Sequence, residues 1–135
     1  MPRILLVSRE PGNLAALAAA LAQGQDTVLR WAEGPEQALA EARRWRPSLA
    51  VLDHGLAQSG PWGLIRELLR VDAFLNSAVV SGLDQDQFHQ ASEGLGVMAQ
   101  LPPAPGPAES AWLLYHLREL TSALAEGPAP SAPGP

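Results

Sequence analysis

Leu49-Ala50-Val51-Leu52 runs into Asp53 without a single polar interruption. A strand with one wet face alternates polar and apolar residues. A run without alternation therefore predicts a strand covered on both sides, as in a parallel sheet lying between helices. Short β-like runs over 3–8, 26–32, 48–53, 76–81 and, more weakly, 97–101 recur along the chain, with helical spacing between them. Leu14, Leu17 and Leu21 repeat with that spacing until Gly24 stops the pattern. Gly34-Pro35 opens a second helix whose Ala38, Ala42 and Trp45 share a face, and Pro47 closes it. Pro61 begins a third, with Leu64, Ile65, Leu68 and Leu69 turned inward. Asp84 followed by Gln87 has the form of a capping box before a short helix through Phe88 and Ala91. Leu113, Leu117, Leu120 and Leu124 make the stripe of a last amphipathic helix facing the sheet. Five strands alternating with five helices predict an α/β fold with a doubly wound parallel sheet. One domain over 1–125 is expected, followed by a disordered Pro/Ala/Gly/Ser-rich tail over 126–135 with no second folded domain and no attached DNA-binding effector.

Composition removes whole classes of function. Hydrophobic residues at 47% and charged residues at 17% fit an ordered globular chain. The absence of cysteine excludes disulfides, thiolate metal sites and cysteine nucleophiles. All nine basic residues are arginine, so no Schiff-base or P-loop lysine exists. A net charge of -5 argues against binding nucleic acid through a general basic surface. The first apolar run, residues 4–7, is too short for a signal peptide, and the longest, residues 14–22, is too short for a bilayer span. A cytoplasmic protein without membrane contact is expected.

In an open parallel sheet, ligands bind beyond the carboxyl ends of the strands. The residues there are Ser8-Arg9-Glu10 after the first strand, Asp53-His54-Gly55 after the third, Ser81-Gly82 after the fourth and Leu101-Pro102 after the fifth. Only Asp53 is a carboxylate that directly ends a buried central strand. His54 reads as a solvent-facing loop residue, because neighbours along a strand point apart. His89 and His116 read as surface residues on helices. Gly94-Leu95-Gly96 precedes a strand rather than following one, so it is no dinucleotide fingerprint. No catalytic triad or zinc motif assembles.

The order of these segments resembles the receiver domain of two-component response regulators, over roughly residues 3 to 125. Ile4-Leu5-Leu6-Val7 is similar to that family's first strand, and Pro47 through Asp53 resembles its third strand with the phosphoacceptor aspartate. Gly60-Pro61-Trp62-Gly63 stands at its Gly-rich turn, Val79-Val80-Ser81-Gly82 at its fourth strand with Thr or Ser, and Gly94 through Pro102 at its fifth strand and Lys-Pro junction. The resemblance implies a flavodoxin-like sheet of order 2-1-3-4-5, with a phosphoacceptor-like Asp53 in a pocket with Arg9, Glu10, Ser81 and Gly55.

Departures from the pattern are as informative. The acidic pair that holds Mg²⁺ is replaced by Ser8 and Arg9, with only Glu10 keeping its type. Leu101 stands at the lysine position and Met98 where a switching aromatic is common. Aspartyl phosphorylation brings two anions together and needs a cation to neutralise the developing charge. Mg²⁺ takes oxygen ligands in a near-octahedral set, whereas Arg9 is a permanent cation. No resident metal is expected; Glu10 and Asp53 are weak candidates for Mg²⁺, which would enter only with phosphorylation of Asp53. An Arg9–Asp53 ion pair could stand in for metal and lysine together, against the plainer alternative of Arg9 in solvent. Ser81 either contacts phosphate or satisfies a turn.

Trp112 and Tyr115 fall outside the leucine stripe of the last helix. They mark either an interaction face, homodimerisation included, or, for Trp112, packing under the proline loop. The reading is an atypical, stand-alone receiver-like module, not an enzyme, contacting a histidine kinase or a downstream signalling protein. One alternative is a working receiver phosphorylated on Asp53 by a histidine kinase. Another is a small flavodoxin-like binder of nucleotide or flavin, against which stands the lack of a Gly-rich phosphate loop in Ser8-Arg9-Glu10-Pro11-Gly12-Asn13.

Overall fold

The computed structural model describes residues 2–24, 27–56 and 61–125, with side chains to residue 120. The expected tail over 126–135 lies outside the described residues, as do Asp26 and Gly60. The chain runs through β1 (Arg3–Val7), a 3₁₀ turn (Pro11–Leu14) leading straight into α1 (Ala15–Ala22), β2 (Val28–Ala32) and α2 (Pro35–Arg44). It continues through β3 (Leu49–Leu52), α3 (Pro61–Val71), β4 (Asn76–Val80), α4 (Gln85–Ser92), β5 (Val97–Leu101) and α5 (Pro107–Ala125). The strands form one parallel sheet in the order β2-β1-β3-β4-β5.

The unbroken apolar runs do what their lack of alternation requires. Every residue of β3, and Ile4 through Val7 of β1, is fully buried. Successive side chains leave opposite faces of a strand. Leu5, Val7, Ala50 and Leu52 accordingly join Ala38 and Ala42 of α2 and Leu64, Ile65 and Leu68 of α3. Ile4, Leu6, Leu49 and Val51 pack on the other side with Leu17 and Leu21 of α1 and Leu113 and Leu117 of α5. At the end of α1, Gly24 permits a close approach: a Cβ there would lie 3.0 Å from Thr27 Oγ1 and 3.3 Å from Leu114 Cδ1.

Local signals hold as well. Asp84 caps α4 by accepting from the Gln87 amide at 2.8 Å, while Gln87 Oε1 accepts from the Asp84 amide. One expectation fails. Leu120 is 41% exposed rather than packed on the sheet. The cause is length: the 19 residues of α5 span about 28 Å, against about 17 Å for a five-residue strand such as β5, so the stripe outruns the sheet it covers.

Two further features shape the edges. Pairing of β4 with β5 skips from Ser77↔Val97 to Ala78↔Ala99, which leaves Met98 as a bulge. On the outer strand β2, Arg30 and Trp31 are exposed. The Arg30 guanidinium meets Glu41 Oε1 at 2.9 Å and lies 5.0 Å from the centroid of the Trp45 ring.

Candidate functional site

Adjacent parallel strands in register bring their carboxyl ends side by side. Val7 is opposite Leu52, so Ser8 and Asp53 emerge next to each other, and the Asp53 amide continues the ladder by donating to the Val7 carbonyl at 2.9 Å. Both residues are buried, Asp53 to 1% exposure. Ser8 Oγ donates to Asp53 Oδ2 at 2.7 Å and accepts from the Glu10 amide at 3.0 Å. The 3₁₀ turn, closed by the Asn13 amide donating to the Glu10 carbonyl, swings Asn13 back over the strand end. Its Nδ2 donates to the same Oδ2 at 3.0 Å. On the other oxygen, Oδ1 accepts from the His54 amide at 2.9 Å and lies 2.9 Å from His54 Nδ1. Both carboxylate oxygens are thus engaged by this chain's own groups, and no buried side-chain polar atom among the described residues is without a partner.

Several expectations change here. Arg9 does not pair with Asp53; its Nε donates to the Leu56 carbonyl at 3.0 Å, pinning the loop that leaves β3. Ser8 and Arg9 are consecutive but part ways past the end of β1, Ser8 to Asp53 and Arg9 to the loop. His54 is open to solvent, its side chain 63% exposed, yet it also touches Asp53. The strand ends at Leu52 and the chain turns at His54 and Gly55, so the alternation of an extended strand no longer separates the pair. Gly55 has φ +77 with open space around it, so backbone conformation rather than crowding calls for glycine.

Glu10 is exposed and offers its backbone rather than its carboxylate to Ser8. Ser81 serves the turn, its Oγ accepting from the Leu83 amide at 3.0 Å. Gln100 Nε2 donates to the carbonyls of Ser81 and Leu83, at 3.2 and 2.7 Å, and so fixes the loop after β4. Leu101 is buried among the α1 and α5 leucines. Beside His54 opens a cleft of about 430 Å³ lined also by Trp62, Ser81, Gly82 and Leu83, with the Trp62 ring edge-on to Phe88 at 5.5 Å.

The arrangement fits Mg²⁺ poorly. A hard dication needs several oxygen ligands carrying negative charge. Among the described residues no three His, Asp or Glu side chains gather, and the donors around Asp53 are a hydroxyl, an amide and an imidazole. Asn13 and Gln100 escaped sequence reasoning. The one available signal for Asn13 was a polar amide one 3₁₀ turn past the Ser8 strand end.

On α5, Trp112 is 42% and Tyr115 59% exposed, with His116 between them at 4.0 and 5.2 Å. Trp112 also borders a shallow cleft of about 530 Å³ with Met98, Gln100 and Pro102. A hydrogen bond to Glu119, and the charge of that carboxylate, hold the Tyr115 phenol above its ordinary pKa of 10.0. Replacing Glu119 with Ala should bring the phenolate transition down to lower pH, measurable by ultraviolet titration. An unmoved transition would mean that the Tyr115–Glu119 contact is not made in solution.

No protein-family model matches the sequence, and no curated protein matches it. Solved structures do. The signal receiver domain of an HD domain-containing protein from Pseudomonas fluorescens matches with a TM-score of 0.78 at 19% identity, over 94% of this chain and 93% of that one. A CheY-like response regulator receiver domain protein from Methanospirillum hungatei gives 0.71 at 19% identity, over 94% and 99%. A chemotaxis response regulator of Vibrio cholerae gives 0.73 at 15% identity, over 87% and 98%. The chain therefore has the flavodoxin-like fold of response-regulator receiver domains, as the sheet order already indicates. Among the described residues, no helix is long and apolar enough to cross a membrane.

Proposed function

We propose that this chain is a receiver-like module of two-component signal transduction that acts through protein–protein contact and does not depend on phosphorylation of Asp53. The observation that carries the reading is the state of Asp53, whose two oxygens are engaged by Ser8, Asn13 and His54 with no lysine or second carboxylate at hand. Transfer of a phosphoryl group to a carboxylate needs positive charge at the reacting oxygens. Neutral donors from Ser8 and Asn13 supply too little, Leu101 supplies none, and Arg9 is committed to the Leu56 carbonyl. What these contacts do supply is rigidity: they tie the turn after β1 to the end of β3, holding one conformation without a phosphate.

On this reading the protein turns over no substrate and carries no resident cofactor, with Mg²⁺ entering only if Asp53 were phosphorylated. It works in the cytoplasm, and its partner is a histidine kinase or a downstream signalling protein. The exposed Trp112 and Tyr115 face is the surface offered to that partner or to a second copy. Intact-protein mass after incubation with acetyl phosphate and Mg²⁺, beside an Asp53→Ala control, tests the central claim. The expected result is no phosphoryl adduct on a chain that circular dichroism shows to be folded. An adduct present in the natural sequence and absent from the control would overturn it in favour of a working phosphoacceptor.

A further inference from the structure

At the end of the sheet opposite Asp53, the ends of α2 and α3 border an open groove of about 560 Å³ lined by Leu39, Arg43, Arg46, Glu67, Arg70 and Val71. We propose that this groove is a binding site for a small organic phosphate, a site independent of Asp53 and of the signalling role above.

The first support is charge. Three guanidinium groups and one carboxylate leave two positive charges uncompensated, which matches a phosphate monoester dianion. In a protein of net charge -5 this is a local reversal of sign. None of the Arg43, Arg46 and Arg70 guanidinium groups makes a hydrogen bond or ion pair among the described residues, so all three are free to meet a ligand. Guanidinium is the group best shaped to grip phosphate oxygens in pairs.

The second support is backbone strain. Arg46 has φ +54, the left-handed region where glycine is the usual helix-ending residue. Its amide donates to the Glu41 carbonyl at 3.3 Å, completing the end of α2, and Pro47 follows directly. Glycine would make that turn at lower cost, yet the chain places there a long cation that lines the groove. Ala104 shares that φ, but at Arg46 the residue that takes the strain is also one that carries its charge to the groove. The third support is the wall: Leu39 and Val71, both partly buried, offer apolar surface for the organic part of a ligand.

Basic residues near helix ends also complement the helix dipole, and Arg43 and Arg70 lie in the last turns of α2 and α3. The two roles separate cleanly by experiment. Adenosine monophosphate, inorganic phosphate alone, and phosphatidylcholine vesicles doped with phosphatidic acid would each be titrated into the full chain by calorimetry. Potassium chloride would match the ionic strength, and thermal melting would be followed in parallel.

The expected result is saturable binding of adenosine monophosphate and a raised Tm, with weaker binding of inorganic phosphate. Arg46→Gly should keep or raise the Tm of the unliganded protein while weakening binding at least about tenfold. Binding confined to the vesicles, and lost in Arg46→Gly, would support the same phosphate chemistry with a lipid headgroup as its source. No binding to any of the three probes, or equal binding by Arg46→Gly, would overturn the proposal and leave the arginines as helix-end charges.

Discussion

The double substitution S8D/R9D is expected to make the stability of this protein depend on Mg²⁺, which the natural sequence should not do. Ser8 Oγ lies 2.7 Å from Asp53 Oδ2, so an aspartate at position 8 exchanges a hydrogen bond for two like charges at the buried ends of β1 and β3. At a separation near 4 Å and an effective dielectric of about 20, that repulsion is about 4 kcal/mol. The new carboxylate at position 8 and Asp53 then offer the pair of adjacent carboxylates that Mg²⁺ accepts, and replacing Arg9 takes a permanent cation from their neighbourhood. Binding at a hundred times the dissociation constant then returns about 2.7 kcal/mol. Melting with and without millimolar Mg²⁺ reads the difference. A natural sequence that melts higher in Mg²⁺ would show that its own donors already form a metal site. Variants indifferent to Mg²⁺ would show that the pocket has lost more than its ligands.

Leu113→Ala should cost about 2–5 kcal/mol and lower the Tm on the order of 10 °C, while Leu120→Ala, on the same predicted stripe, should change stability by only about 0.5 kcal/mol. Leu113 is fully enclosed by β1, β3 and α1 residues, and removing its isobutyl group leaves a cavity that close-packed neighbours fill incompletely. Leu120 lies past the sheet and already meets water. Urea unfolding of the two variants gives the comparison directly. Equal losses would mean that α5 packs along its whole length, contrary to the exposure seen at Leu120.

The contrast between those two leucines shows what could be read in the chain and what could not. Periodicity identifies a face of a helix but carries no information about where the opposing surface stops. The same limit appears at Asp53. Its burial and position follow from an apolar run that ends on a carboxylate, and that much was legible. Its partners were not, because Asn13 reaches it across 40 positions through a 3₁₀ turn. His54 reaches it because the chain bends one residue after β3 ends, which strand geometry does not foresee. Arg9 illustrates the reverse case, where opposite charges invite a pair but the Leu56 carbonyl, placed by the loop, takes the guanidinium instead. The strands and the starts of α2, α3 and α4 were read within a residue or two, since prolines, glycines and the Asp84 cap act locally, whereas α5 begins at Pro107, six residues ahead of its leucine stripe.

The clamped arginine on the outer strand has a consequence for how molecules of this protein meet one another. β2 is hydrogen-bonded on one side only, and an open strand edge invites the edge of another sheet. Arg30, held by Glu41 and stacked over Trp45, keeps a charge fixed beside that edge. A second copy approaching that edge would meet a charged side chain already held in place. A charge held in this way blunts the β2 edge of the sheet, on a flank remote from Asp53.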